Sequence, residues 1–353
     1  MYRYGNVNFK LDVENKKILK QLEEIFYPHI CLGNQDAKVD FIFKVSENKE
    51  EYFNIEEEIK GIEGERLFVV KCSKKKGEII LSKFQIGEKV IYKYIEKNII
   101  LTMSGNCIVL YYLEKDISYN SIYKGIFIIL EHFIQKYANL KGGVLVHASA
   151  IINSKGKVVL FIGEKRSGKT TFFIESCIKK GAIPLSVDKV YLFLNNNSLE
   201  VRGFPSRLRI LAGTLSKYKE LQHLIPIKYQ NVSSDILWEG HSDSKVSIEI
   251  KKFEDIINRK FITKGKLEKI IFPKLRKNEK FKEKILLEQE ILERIDKCIY
   301  TPYNQEEDWW SDIGKEEISK IICNRNKLIK ELSININVIE IIAGEDIEIL
   351  PIE

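Results

Sequence analysis

The sequence predicts an α/β core built on a phosphate-binding loop, with an N-terminal α+β region of antiparallel strands before it and a helical C-terminal part after it. Three observations carry this. A fully apolar run, "VVLFIG", meets a glycine loop, "GEKRSGKT", which opens a helical pattern and is followed by a further strand. Six short runs rich in β-branched and aromatic residues crowd the first 120 positions. Helical spacing dominates most of the last 70.

In chain order, "KKILKQLEEIF" has the spacing of a helix. "VDFIFKV", "RLFVVKC", "EIILSKF", "KVIYKYI", "NIILTMS" and "CIVLYYL" follow as strands, separated by polar or glycine-containing turns. The stretch from Asn120 recurs apolar at helical spacing and stops at Gly142-Gly143. "VLVHASAII" reads as a strand, "NSKGK" as a turn, and "VVLFIG" as a second strand. Past the loop, "KTTFFIESCIKKG" is a helix ended by Gly181. "IPLSVDKVYLFL" is one strand, "NNNS" a turn and "LEVRGF" another strand. Strand, glycine loop, helix and strand make a βαβ unit with its helix packed on the sheet. "EKILLEQEILERIDKC" and "KEEISKIICNRNKLIKEL" read as helices, and "NVIEIIAG" closes the chain as a strand. A domain boundary is expected near residue 120, giving an accessory region over 1–120 and the loop-bearing domain over 121–353.

Composition sets the class. Of 353 residues, 44% are apolar and 30% charged, enough for a sizeable core under a charged surface. The net charge of +7, from 57 basic and 50 acidic residues, favours phosphate-bearing ligands and gives no reason to expect nucleic acid. The first residues lack the apolar stretch of a secretory signal. "GIFIILEHFIQ" is too short for a membrane span and is broken by Glu131 and His132. Cys31, Cys72, Cys107, Cys177, Cys298 and Cys323 are scattered at no metal-ligand spacing, which reads as free thiols in a cytoplasmic protein. Self-association into a homo-oligomer stays open. The segment 251–284 holds 13 Lys or Arg against 5 Asp or Glu. It is a solvated surface, or a place where Lys274 and Arg276 dock an acidic or phosphate-bearing ligand.

The loop carries the chemistry. "GEKRSGKT" fits G-x-x-x-x-G-K-[ST], in which backbone N–H groups and the helix N-terminus cradle phosphate oxygens. The nucleotide-binding set is the run Gly163, Glu164, Lys165, Arg166, Ser167, Gly168, Lys169, Thr170 and Thr171. Lys169 reaches the terminal phosphates and Thr170 offers a hydroxyl to Mg²⁺. No N/T-K-x-D segment supplies guanine readout, and no strand ends in Asp-Glu beyond the loop. Asp188 stands alone at "LSVDKV"; it can hold Mg²⁺ or take a proton from an attacking hydroxyl. His147, in an apolar strand, is a core residue, or it lies near the loop if its strand neighbours the loop strand.

Taken together, the order of these segments resembles the catalytic domain of the HPr kinase/phosphorylase family and its HPr-kinase-like relatives. The resemblance is good over about residues 140–280 and loose beyond. It rests on the strand with His147-Ala148-Ser149, the loop, the strand ending in Asp188, "LEVRG" at 199–203, and "IIFPKL" at 270–275. It implies that Asp188 is the proton acceptor for a substrate serine and that His147 lies near the phosphates. It also implies Glu200 as a Mg²⁺ ligand beside Thr170, and Arg202 and Gly203 in an adjoining loop. The family's paired aspartates fall on Val187 and Asp188, so one is replaced. "FPSRLRI" follows Gly203, with no clear R-P-G-R beyond it. These departures argue against HPr as substrate and against the reverse, phosphorylase reaction. Relatives of this architecture include kinases that phosphorylate peptides in natural-product clusters, lasso peptides among them.

The expectation is an ATP- and Mg²⁺-dependent kinase of a hydroxyl, with serine of a peptide or small protein as acceptor. Asp188, His147 and Lys169 are its catalytic residues. The loop and Arg202 hold nucleotide, and Thr170 and Glu200 hold metal. Two alternatives stand beside it: a nucleotide-binding regulatory or assembly protein, favoured by Val187, and a small-molecule kinase acting on a sugar or amino acid.

Overall fold

The computed structural model describes residues 1–71, 78–94, 98–113, 119–195, 198–233, 236–237, 245–276, 279–300, 315–344, 347 and 350–353. Cys72, the end of the strand read at 89–95, Asn196 and Asn197 of the expected turn, and residues 277–278 of the basic segment lie outside these. The chain is mixed α/β and divides into two compact units. The first is 1–26, 30–143 and 300–324; the second is 27–29, 144–299 and 325–353.

The first unit holds β1 (Tyr2–Tyr4), β2 (Val7–Val13), α1 (Lys16–Phe26), β3 (Cys31–Leu32), β4 (Phe41–Ser46), α2 (Lys49–Glu58), β5 (Glu65–Lys71), β6 (Glu78–Ile86), β7 (Lys89–Tyr94), β8 (Ile99–Ser104), β9 (Cys107–Tyr112) and α3 (Tyr119–Leu140). Its nine strands run in the order β3-β1-β2-β4-β9-β8-β7-β6-β5. Strands β5 to β9 are successive antiparallel neighbours, as expected. The centre differs: β2, β4 and β9 are parallel. Parallel strands need crossovers; α1 lies in the connection between β2 and β4, and α2 in that between β4 and β9. Helix α2 gives little apolar periodicity, since only Tyr52 and Ile55 of its residues are buried, and its start is set by Asn48, whose Oδ1 accepts the Glu51 N–H at 3.2 Å. Helix α3 stacks Tyr137 and Phe133 on Phe41, with ring centroids 5.0 and 6.1 Å apart. In this division α3, with its aromatic face on Phe41, belongs to the first unit, whose second segment runs to Gly143.

The second unit contains β10 (Val144–Val146), β11 (Ala148–Ile152), β12 (Val158–Ile162), α4 (Lys169–Ile178), β13 (Ile183–Ser186), β14 (Val190–Asn195), β15 (Ser198–Gly203), β16 (Leu208–Leu211), α5 (Ala212–Lys217) and α6 (Ile227–Gln230). Then come β17 (Lys245–Ile248), α7 (Ile250–Ile257), β18 (Lys264–Leu275), β19 (Lys282–Ile285), α8 (Glu288–Asp296) and β21 (Asn337–Ala343), while β20 (Ile299–Tyr300) and α9 (Lys315–Asn335) each begin in one unit and end in the other. The path β13-β11-β12-β18-β15-β14-β10 makes the main sheet, and β21 pairs with β18 and β19. β12 lies between antiparallel β11 and parallel β18, and β18 is parallel to β21. The helix α4 does connect parallel strands, but β11 sits between them. Residues 283–285, read as helix, belong to strand β19 on β21, and helix begins only at Glu288. Its alternating charges leave the strand fully exposed, so apolar spacing gave no warning.

Two apolar layers enclose the sheet. One packs α4, α5 and α7 through Phe161, Phe172, Phe173, Leu215 and Phe253. The other packs α8 and α9 through Leu160, Ile162, Ile270, Ile295 and Leu332. Phe172, at the start of α4, is fully buried beside Phe161, 6.0 Å between centroids. Phe172→Ala leaves a cavity there and should cost about 3–5 kcal/mol. Urea denaturation of the second unit's transition checks this; a loss below about 1 kcal/mol would mean the layer refills without strain.

Candidate functional site

The loop after β12 is shaped by its glycines. A Cβ on Gly163 would meet Ser167 Oγ at 2.7 Å, and one on Gly168 would meet Leu275 Cβ at 2.8 Å. Gly168 has φ +104° and Arg166, unusually for a side chain, φ +71°. Alternation of right- and left-handed residues turns successive N–H groups inward to make an anion-binding concavity. Leu275 N–H donates to Ser167 O at 3.0 Å, so the end of β18 holds the loop. The Lys169 ammonium folds back on the loop, donating to Gly163 O at 2.5 Å and Glu164 O at 2.9 Å.

Two strand breaks build the opposite wall. "VLVHASAII" is not one strand: it switches partners at His147, with β10 pairing β14 and β11 pairing β12 and β13. "IPLSVDKVYLFL" breaks likewise over Val187–Lys189, between β13 on β11 and β14 on β10 and β15. The two breaks face each other. Ser149 Oγ donates to Val187 O at 2.5 Å, Ser186 Oγ to Lys189 O at 2.7 Å, and Phe204 N–H to Lys189 O at 3.1 Å. His147 N–H donates to Cys298 O at 2.8 Å. The result is a polar contact, His147 Nε2 to Asp188 Oδ1, at 3.2 Å.

A cavity of about 300 Å³ opens between this wall and the loop. His147, Lys165, Arg166, Gly168, Lys169, Thr170, Thr171 and Asp188 line it, together with Val187. Burial opposes ionisation of Asp188, but the His147 hydrogen bond and charge, with Lys189 and Lys245, outweigh it and hold the carboxyl at about 2. Its side chain is still 54% exposed and His147's 30%, so the pair is a reactive feature more than a stabilising one. Burial lowers the Lys169 ammonium from its ordinary value; Cys298, Asp188 and Glu164 pull it back, while Lys245 adds to the lowering.

Thr170 and Asp188 are the hydroxyl and carboxylate here that fit a Mg²⁺ ion, which takes few protein ligands and keeps waters and phosphate oxygens. Among the described residues no three His, Cys, Asp or Glu cluster as a metal site, and no helix is long and apolar enough to cross a membrane. Glu200 and Arg202 do not line this cavity. They alternate on the outer face of β15, bonded to each other, with Lys264 Nζ 3.8 Å from Glu200 and the Arg202 guanidinium 5.4 Å from the Phe193 ring centre. Gly163, Glu164 and Ser167 face a second cavity on the loop's other flank, of about 460 Å³, which Lys274 and Arg276 also line. Lys274 is paired there with buried Glu340 at 3.4 Å.

Sequence reasoning missed Arg209, Leu211 and Lys245, which also line the first cavity. They come from a two-stranded ribbon, β16–β17, whose strands are 33 residues apart in the chain and pair antiparallel. Their one local signal was the alternation in "LRIL".

No protein-family model matches the sequence, and no curated protein does. Among solved structures, the HPr(Ser) kinase/phosphatase from Coxiella burnetii matches 40% of this chain and 77% of its own, at 18% identity and a TM-score of 0.24.

His147 is the largest favourable influence on Asp188. In His147→Ala the Asp188 carboxyl should therefore titrate upward from about 2 toward its ordinary 3.8, read by carbon-13 NMR of labelled aspartates. Sign follows from this: a depressed carboxyl contributes stability above about 3.8 that is lost as pH falls toward 2, so the variant should lose that increment at higher pH. An unmoved midpoint would assign the effect to Lys189 and Lys245 instead.

Proposed function

We propose that the chain is an ATP- and Mg²⁺-dependent kinase that phosphorylates a hydroxyl, serine of a peptide or small protein being the acceptor class. One observation carries this: the glycine loop with Lys169 and the His147–Asp188 pair face each other across one cavity. The loop is a phosphate cradle, and the pair is a carboxylate held ready beside it. The acceptor class rests on the sequence resemblance alone.

In this reading the loop N–H groups and Lys169 bind the terminal phosphates, Lys169 exchanging its two loop carbonyls for phosphate oxygens. Thr170 and Asp188 would hold Mg²⁺, which supplies charge neutralisation across the phosphates when bound. Glu200, engaged with Arg202 and Lys264, is the weaker fit for that role. His147 takes Oδ1 of Asp188 and leaves Oδ2 to receive the acceptor's proton. The acceptor oxygen bonds to the γ-phosphorus as the bond from that phosphorus to the β–γ bridging oxygen breaks. The electron pair leaves with ADP. Phosphoryl transfer is mostly positioning and charge neutralisation, so this short set of side chains suffices.

A regulatory nucleotide binder is the second reading, favoured by Val187. Its side chain is 5% exposed and packs into the α4 layer, leaving one carboxylate where the kinases have two. Labelled ATP with candidate peptides, sugars and amino acids, followed by mass spectrometry, separates the readings; label on no acceptor overturns the kinase.

Two variants test the roles. Lys169→Ala should weaken nucleotide binding and nearly abolish turnover. Asp188→Asn keeps shape and removes basicity, so transfer should fall by about 10²- to 10⁴-fold with nucleotide Kd within a few-fold. If affinity and Mg²⁺ dependence fall together, Asp188 is chiefly a metal ligand; unchanged turnover would sink both roles.

A further inference from the structure

The ribbon β16–β17 has one face in the core and one in the cavity. Leu208, Ile210 and Ile248 are buried in the α4 layer. The alternate positions Arg209, Leu211 and Lys245 point the other way and line the cavity that Lys169 and Asp188 share. Leu211 is the cross-strand partner of Lys245, and Arg209 lies two residues along the same face. Two cations are thus held side by side on one short ribbon, where like charges cost stability. Among the described residues neither side chain has a carboxylate within salt-bridge distance. Asp188, across the same cavity, is the carboxylate whose charge reaches Lys245.

Their position says what they would meet. Lys169 marks the terminal phosphates and Asp188 marks the acceptor hydroxyl. The charge of Lys245 is felt at both, and Lys245 in turn feels Arg209, Asp188 and Lys165. Lys245 lines the same cavity as both. Lys169 and the loop N–H groups reach the cavity from the segment after β12; the ribbon brings Lys245 and Arg209 to the same cavity from another part of the chain.

We infer that Lys245 and Arg209 are further catalytic residues, contacting the γ-phosphoryl group in the cavity they share with Lys169 and Asp188 as it passes to the acceptor. The inference rests on the kinase reading for its chemistry, and on the ribbon geometry for its place. It makes the ribbon a second half of the phosphate site, contributed by a part of the chain far from the loop. The bond made and the bond broken are those above. Neither cation accepts a proton, since both act as charged donors to the equatorial oxygens.

The test is the worth of the γ-phosphate. Kd values for ADP and for the non-hydrolysable ATP analogue AMP-PNP are measured with Mg²⁺ for wild type, Lys245→Gln, Arg209→Gln and Lys245→Arg. The preference for AMP-PNP over ADP should fall about tenfold or more in the two glutamine variants, with ADP affinity nearly unchanged, and recover in part in Lys245→Arg. Turnover should fall by roughly 10²-fold, in kcat more than in KM. Arg209 is exposed, so Arg209→Gln reads the wall even if Lys245→Gln fails to fold. A preference unchanged in the variants overturns the inference whether or not turnover is seen, as does a wild type that binds neither nucleotide. A preference that falls while wild type phosphorylates no acceptor overturns the kinase reading and leaves the ribbon standing as a γ-phosphate contact.

Discussion

Ser149 is fully buried, and its hydroxyl spends its one proton on the carbonyl of Val187. That bond ties the break in one sheet-switching segment to the break in the other, and Asp188 follows directly after the carbonyl it holds. Strands that change partners leave backbone groups without a ladder, and a buried orphan carbonyl is costly. Here the orphans at Val187 and Lys189 are taken up by Ser149, Ser186 and the Phe204 N–H. The same economy fixes the site: satisfying the breaks leaves Asp188 little freedom to move away from His147. Phosphoryl transfer depends on placement more than on special reactivity, so a carboxylate on such a mount is better suited to it than one on a mobile loop.

The second constraint is the loop itself. It needs glycine at both ends for space, and it holds Arg166 in a backbone region that side chains avoid. That strain is of order 1 kcal/mol, small beside what oriented N–H groups gain on meeting phosphate. The anchor is the bond from Leu275 to Ser167, which makes the far end of β18 part of the loop's support. β18 is the longest strand described, pairing β15 through its first residues and β12 and β21 through the rest. One strand thus carries register from Glu200 on neighbouring β15 to the glycine loop that follows β12.

What could be read from the chain follows from these constraints. The loop was legible because its chemistry is local: eight consecutive residues specify turn, glycine clearance, lysine and hydroxyl. The breaks at His147 and Val187–Lys189 were not, since apolar residues continue on both sides of each and the interruption comes from sheet pairing far along the chain. The side of His147 was a matter of strand neighbours, and only the pairing decided it. Glu200 and Arg202 look alike in sequence whether they reach a metal or each other, because alternation on β15 gives the face and not the company. The ribbon was invisible for the plainest reason. Leu208–Leu211 and Lys245–Ile248 meet only in three dimensions, and each alone is a four-residue alternation.

The present position of Lys169 bears on how the two halves would work together. Its ammonium is satisfied by two loop carbonyls, so it is neither swinging in solvent nor unpaired in a cavity. Replacing those carbonyls by phosphate oxygens exchanges hydrogen bonds of similar number and adds opposite charge, so the swap is favourable only when an anion is present. The ribbon has no such internal partner among the described residues. An anion arriving in the cavity would therefore meet a loop collapsed on its own lysine and two ribbon cations with no such bond to exchange. The order matters chemically: Lys169 must give up two carbonyl contacts before it can reach an anion, whereas the ribbon cations have no such described contact to give up.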